Sequence, residues 1–224
     1  MNRRLPENKN LILHTDPYYE LLPVDDYHGP LIRQYLHRTL LTQERACAEY
    51  NRVTGVVCIA RYPKNIRLQP IYYTNYAISE FFNSLDSKVE HNRKMAMQKY
   101  DRVHDTSVRY TWCREYGELD LPHFHIALFF NGDAYRSLGK IESIKKGEVE
   151  RDNLAWRIRS AWASALNLPY KIAAPLIEFP DNPVYHVNRD PGEYEGFFYR
   201  ASYLCKAATK RFGDGQHAFD SSRH

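Results

Sequence analysis

The stretch Leu121-Pro122-His123-Phe124-His125-Ile126-Ala127-Leu128-Phe129-Phe130-Asn131-Gly132 sets the reading of everything around it. From Phe124 to Phe130 nearly every residue is apolar, and Asn-Gly closes the run with a turn signal. This predicts a buried strand of ordinary length. Residues i and i+2 of a strand point to the same face. His123 and His125 therefore project together, while Phe124, Ile126 and Leu128 pack on the opposite face. Two imidazoles side by side on a rigid strand supply half of a divalent-metal site. Alone, a His-x-His pair is a weak sign, because it also arises by chance at the edge of a core.

Just upstream, Ser107 to Glu115 alternates: Val108, Tyr110 and Trp112 face one way, and Thr111, Cys113 and Glu115 the other. With a short loop containing Gly117, this predicts an antiparallel hairpin with the histidine strand. Thr54 to Tyr62 is rich in β-branched residues and stops at Pro63, as a central strand does. Leu176 to Phe179, between two prolines, predicts a short strand, and Asp181 to Gly192 a turn-rich segment. Helices are predicted over Leu31–Tyr50, Tyr76–Tyr100 and a segment after Asp152 or Asn153 that ends at Asn167-Leu168-Pro169. Asp133 is expected to cap a short helical piece from Ala134 to Arg136. The first thirty residues are dotted with proline and predict irregular structure. The resulting class is α+β, a central antiparallel β-sheet with helices packed on it. Residues 1–50 form an N-terminal extension with an amphipathic helix, and 51–224 the main domain.

The last predicted helix runs from about Tyr194 to Arg211 and stops at Phe212-Gly213-Asp214-Gly215. Phe198, Ala201, Cys205 and Ala208 form its core stripe. Tyr199, Tyr203, Lys206 and Lys210 form a second, polar stripe. A tyrosine is a poor nucleophile at neutral pH because a phenol ionises near 10. It becomes useful when a divalent ion draws charge from a phosphate. Imidazole and carboxylate ligands with open positions suit Mn²⁺ or Mg²⁺. Each item has a plain alternative. With 18 tyrosines in the chain, Tyr199 and Tyr203 fit as rim aromatics, Lys206 and Lys210 as a solvated stripe, and Glu115 as a partner of Arg114 or Arg109. The joint occurrence, in this order, is what those alternatives explain poorly.

Composition bounds the rest. At 224 residues the chain suffices for one well-cored domain with an extension. A net charge of +4 permits nucleic-acid binding without announcing it. Cys47, Cys58, Cys113 and Cys205 are scattered with no Cys-x-x-Cys, which predicts buried free thiols and argues against structural zinc. The polar N-terminus lacks a signal-peptide run and no stretch approaches a membrane span, so no membrane partner and a cytoplasmic location are expected.

His123-Phe124-His125 resembles the His-hydrophobic-His motif of HUH endonucleases, the rolling-circle replication initiators. Tyr199-Arg-Ala-Ser-Tyr203-Leu-Cys-Lys206 resembles the Tyr-x-x-x-Tyr-x-x-Lys motif of their two-tyrosine class, and Glu115 stands where phage initiators often carry a glutamate. Residues 121–135, 161–166, 179–185 and 198–204 are similar to the inovirus gene-two-type replication family, which includes many prophage-encoded bacterial proteins. The resemblance implies an HUH-type palm, related to the ferredoxin-like fold, with the histidines on its middle strand. It implies nicking and rejoining of single-stranded DNA at an origin or hairpin through a 5′-phosphotyrosine, initiating rolling-circle-type replication. His123, His125 and Glu115 would be metal ligands, Tyr203 the main nucleophile, Tyr199 the second and Lys206 the assisting cation. Host helicase and polymerase would be partners. A competing reading is a sequence-specific DNA-binding protein, regulatory or origin-marking, without turnover. A histidine-triad-type nucleotide hydrolase needs a third alternate histidine, and that position is Ala127.

Overall fold

A computed structural model of the chain describes residues 3–64, 70–117, 121–141 and 152–223. In chain order, β1 (Arg4–Leu5) pairs with β2 (Asn8–His14), β3 (Tyr18–Tyr19) with β4 (Leu22–Pro23), and β5 (Leu31–Ile32) with β2. Helix α1 (Arg33–Glu49), strand β6 (Val53–Arg61), helix α2 (Tyr76–Lys99) and strands β7 (Arg109–Tyr116) and β8 (Pro122–Asn131) follow. After them come helix α3 (Leu154–Leu166), the single turn α4 (Tyr170–Ala173), strands β9 (Ile177–Glu178) and β10 (Val184–His186), helix α5 (Pro191–Ser202) and strand β11 (Phe219–Ser221).

The main sheet runs β10-β6-β8-β7-β11, with β9 also on β6, and every pairing in it is antiparallel. The histidine strand β8 is its middle member. Strand alternation divides the core into two layers. Phe124, Ile126, Leu128 and Phe130 of β8 join Trp112 of β7 and Val56 of β6 under α2 and α3. Ala127 and Phe129 of β8, with Val57 of β6 and Cys113 of β7, face α1 and α5. The chain is thus α+β, an antiparallel sheet with helices packed on it, as the sequence predicts. Each fully buried large apolar side chain here, such as Phe81, Phe124 or Phe197, contributes roughly 1.5–3 kcal/mol. Trp162 is buried as well, and its indole N–H is satisfied by the Arg61 carbonyl at 2.9 Å.

Two local devices seat the helices. Asn153 caps α3 by accepting from the Trp156 N–H at 2.9 Å, and Asn167 ends it in the left-handed region at φ 52°. Asp190 caps α5 by accepting from Glu193 N–H, with Pro191 in the first turn. Helix α5 lies so close to β6 that a Cβ on Gly55 would stand 2.6 Å from the Phe197 ring. Only glycine permits that approach.

Most differences from expectation share one cause, long-range pairing that local periodicity does not carry. The first thirty residues hold a seven-residue strand, β2, stitched to α1 where Gln34 accepts from Ile12 N–H and donates to the Asn10 carbonyl. Ala134 and Tyr135 turn back onto the Asn131 carbonyl, so the expected helical piece is a turn, organised by Asn131 rather than capped by Asp133. Val184–His186, inside the expected turn-rich segment, adds an edge strand to β6. The last helix ends at Ser202 rather than Arg211. Tyr203–Cys205 tightens into a 3-10 turn, Lys206 becomes extended at ψ 141°, and it bridges to Leu31 while Ala207 N–H donates to the Pro30 carbonyl. The segment then runs beside β7, where Tyr116 N–H reaches the Thr209 carbonyl.

All four cysteines are free; Cys58, Cys113 and Cys205 are buried and Cys47 half-buried. Burial pushes the Cys58 and Cys205 thiols up to about 12, which makes them inert at neutral pH. Among the described residues no helix is long and apolar enough to cross a membrane.

Candidate metal-dependent active site

Sheet register assembles the site. Across β6, β8 and β7, Arg61, His123 and Glu115 stand in one row, and Ile59, His125 and Cys113 in the next. Paired residues share a face, so the whole group points toward α5. One ligand atom from each of Glu115, His123 and His125 lies within 4.8 Å of the others. The expected trio therefore converges, and Glu115 belongs to it: His125 Nε2 is 3.5 Å from Glu115 Oε2.

Glu115 is 2% exposed and heavily counter-charged. Its Oε2 is 3.0 Å from Lys206 Nζ, and its Oε1 is 3.2 Å from Lys210 Nζ. Burial alone would raise the Glu115 carboxyl, but Lys210, His125 and Lys206 together outweigh it and hold the group at about 2. Burial also lowers both histidines, His125 to about 3, with Arg61 adding to the effect on His123. Both rings are therefore neutral at pH 7, with lone pairs free to ligate. Burial opposes the charge on Lys206, but the Tyr203 hydroxyl and Glu115 keep it above the ordinary lysine value.

Tyr203 caps α5 and opens the 3-10 turn. Its hydroxyl accepts from the Lys206 ammonium, which also lies 3.7 Å from the ring centroid. The ring meets His125 edge-on at 5.0 Å, so the phenol stands over the trio as expected. On another side it meets His28 at 5.2 Å. The loop carrying His28 is tied to α5 where Asp25 N–H donates to Ser202 Oγ at 2.8 Å.

Tyr199 is placed differently. It lies on α5 one turn before Tyr203, 43% exposed, and does not line the cleft beside His125. The α5-side residue that lines that cleft with Tyr203 is Arg200. Lys206 and Lys210 are not a helical stripe, because the helix has ended; the extended segment delivers both to Glu115. Sequence reasoning missed His28 and Arg200. For Arg200 a signal existed, since i and i+3 share a helix face with Tyr203. For His28 none did, because its approach depends on the N-terminal loop folding over α5.

The trio fits a divalent cation. Two neutral imidazoles and an ionised carboxylate on one face form a mixed N/O set with open positions, suited to Mn²⁺ or Mg²⁺. Glu115 would share its charge with the ion, and Lys206 would turn from Oε2 toward the Tyr203 hydroxyl it already touches.

A family model described as the YagK/YfjJ C-terminal domain matches residues 15–222. The chain is 34% identical over 153 residues to uncharacterized protein YfjJ of Escherichia coli (strain K12), covering 66% of this chain and 71% of that protein. It is 33% identical over 150 residues to uncharacterized protein YagK of the same organism, covering 65% and 69%. Neither name states an activity. No solved structure matches the chain.

Proposed function

The chain belongs to the YagK/YfjJ C-terminal domain family, and we propose that it is a divalent-metal-dependent endonuclease that nicks and rejoins single-stranded DNA through Tyr203. The observation that carries the reading is the convergence of Glu115, His123 and His125 beneath a tyrosine whose hydroxyl is held by Lys206. The HUH-type resemblance, and with it rolling-circle initiation in a phage or prophage, a cytoplasmic location and host helicase and polymerase as partners, is part of the same proposal.

When bound, the cation withdraws charge from the non-bridging oxygens of the scissile phosphate. The chain's own residues do the rest. His123, His125 and Glu115, on rigid strands, would hold that ion. Tyr203 Oη attacks phosphorus, the bond to the 3′-oxygen breaks, and a 5′-phosphotyrosine and a free 3′-hydroxyl result. The phenolic proton passes to solvent, and the departing 3′-oxygen takes one up. Lys206 donates to the phenolic oxygen and stabilises its developing charge. Attack by a 3′-hydroxyl on the phosphotyrosine reverses the step and rejoins the strand. Tyr199, exposed one turn away, is available for a second strand end.

One observation favours a second reading, a DNA-binding protein without turnover: both Glu115 oxygens are already paired with lysines. Labelled single-stranded DNA from the neighbouring genome, mixed with protein and Mn²⁺ or chelator and run on a denaturing gel, separates the two. A Mn²⁺-dependent protein-DNA band supports the nuclease. Retained DNA binding with no band under any metal supports the binding protein.

A further inference from the structure

We propose that the cleft between β6 and the end of α5 is a nucleotide subsite: Arg200 takes the backbone phosphate next to the scissile one, and the apolar wall takes its base. The inference rests on the endonuclease reading and names where that reading's single strand lies.

The cleft has a volume of about 200 Å³ and is lined by His125, Tyr203, Arg200, Ile59, Pro180 and Leu204, among others. It shares one metal ligand and the nucleophile with the site, so whatever occupies it abuts the reacting phosphate. Its other walls are apolar, which suits the face of an unstacked base and gives no reason to hold a small ion alone. At this size it admits one base rather than a paired duplex.

Arg200 supplies the second observation. The other cations of the site are committed: Lys206 and Lys210 to Glu115, and Arg61 to Glu178 at 3.2 Å. Among the described residues the Arg200 side chain has no ion pair or hydrogen bond, yet the residue is half-buried at the cleft wall. A partly desolvated guanidinium without a counter-charge is costly, and a phosphate removes that cost with a two-pronged hydrogen bond. Arg200 precedes Tyr203 by three residues, so one helix face presents both the nucleophile and the phosphate clamp.

The test is equilibrium binding of a fluorescently labelled random-sequence 30-nucleotide single-stranded DNA pool, titrated with NaCl, beside the Mn²⁺ adduct assay. Arg200→Gln should weaken binding about tenfold or more, as loss of a charged hydrogen bond does. It should also lower the salt slope by about 0.7, the value for one single-strand phosphate contact. Arg200→Lys should keep the slope. Among adduct-linked strands, wild type should show a base preference at one position beside the linked phosphate. Arg200→Gln with unchanged affinity and slope, in a protein that still forms adducts, overturns the subsite and leaves the nuclease reading standing. Failure of the wild-type protein to bind single-stranded DNA overturns both.

Discussion

Glu115→Gln is the substitution that weighs most directly on the buried charge cluster. In the native chain one carboxylate lies 3.0 Å from Lys206 Nζ and 3.2 Å from Lys210 Nζ, with the lysine side chains 7% and 0% exposed. At an effective dielectric near 20, each pair attracts by about 5 kcal/mol before desolvation is counted. Desolvation of three charged groups offsets most of that. What remains on removing the carboxylate is two buried ammonium groups facing each other with no counter-charge. Breaking a buried pair by losing one partner costs about 3–5 kcal/mol. For a chain of this size that is a fall in Tm of roughly 6–20 °C. Lys210→Met should cost less, because it leaves a neutral Glu115–Lys206 pair. The double variant should lose less than the sum of the two, since Lys210 is a liability once Glu115 is neutral. Urea unfolding in chelator, with matched thermal melts, measures all four proteins. A Glu115→Gln protein within about 1 kcal/mol of wild type would refute the reasoning, because the cluster would then contribute no net buried charge pairing.

Stability should fall with acid in a defined window. Glu115 is held at about 2, below its ordinary carboxyl value, so its contribution is complete above about 4.5 and is lost between there and pH 2. His125 is lowered to about 3, so from about pH 6.5 down to 3 the unfolded chain binds a proton the folded one refuses, and stability drops there too. His125→Gln should flatten the upper part of the urea-midpoint profile between pH 6.5 and 4.5. Saturating Mn²⁺ should raise the Tm, by about 2.7 kcal/mol of stabilisation at a hundred times the dissociation constant, and His123→Ala with His125→Ala should abolish the shift. Gly55→Ala should cost about 1–3 kcal/mol by driving a methyl into the Phe197 ring, and adduct formation should slow as α5 and Tyr203 lift from the sheet. Tyr199→Phe should leave first-strand adduct formation intact while impairing transfer to a second strand.

The sheet was legible because its strands carry their own signals. β6 and β8 are long, apolar and bounded by turn residues, and the alternation of β7 put Glu115 on the face away from Val108, Tyr110 and Trp112; only the register sets it beside the histidines. The trio follows from that alternation plus register. The close of the chain was not legible, because the stripe Tyr199, Tyr203, Lys206, Lys210 is compatible with a continuous helix and only the bridge from Lys206 to Leu31 breaks it. That break brings Lys210 to Glu115. β10 and β11 span three residues each and take their identity from the strands they join, β6 and β7. His28 reaches Tyr203 only because a loop from the far end of the chain folds onto α5, a contact no local pattern encodes.

The central claim is tested most directly by locating the attachment point of DNA on the protein. Protein incubated with Mn²⁺ and single-stranded DNA is digested with nuclease and protease, and the nucleotide-bearing peptide is identified by mass spectrometry. The account predicts a 5′-phosphonucleotide on Tyr203, lost in Tyr203→Phe and in chelator. A Mn²⁺-independent adduct, or attachment to a residue remote from His123 and His125, would contradict it.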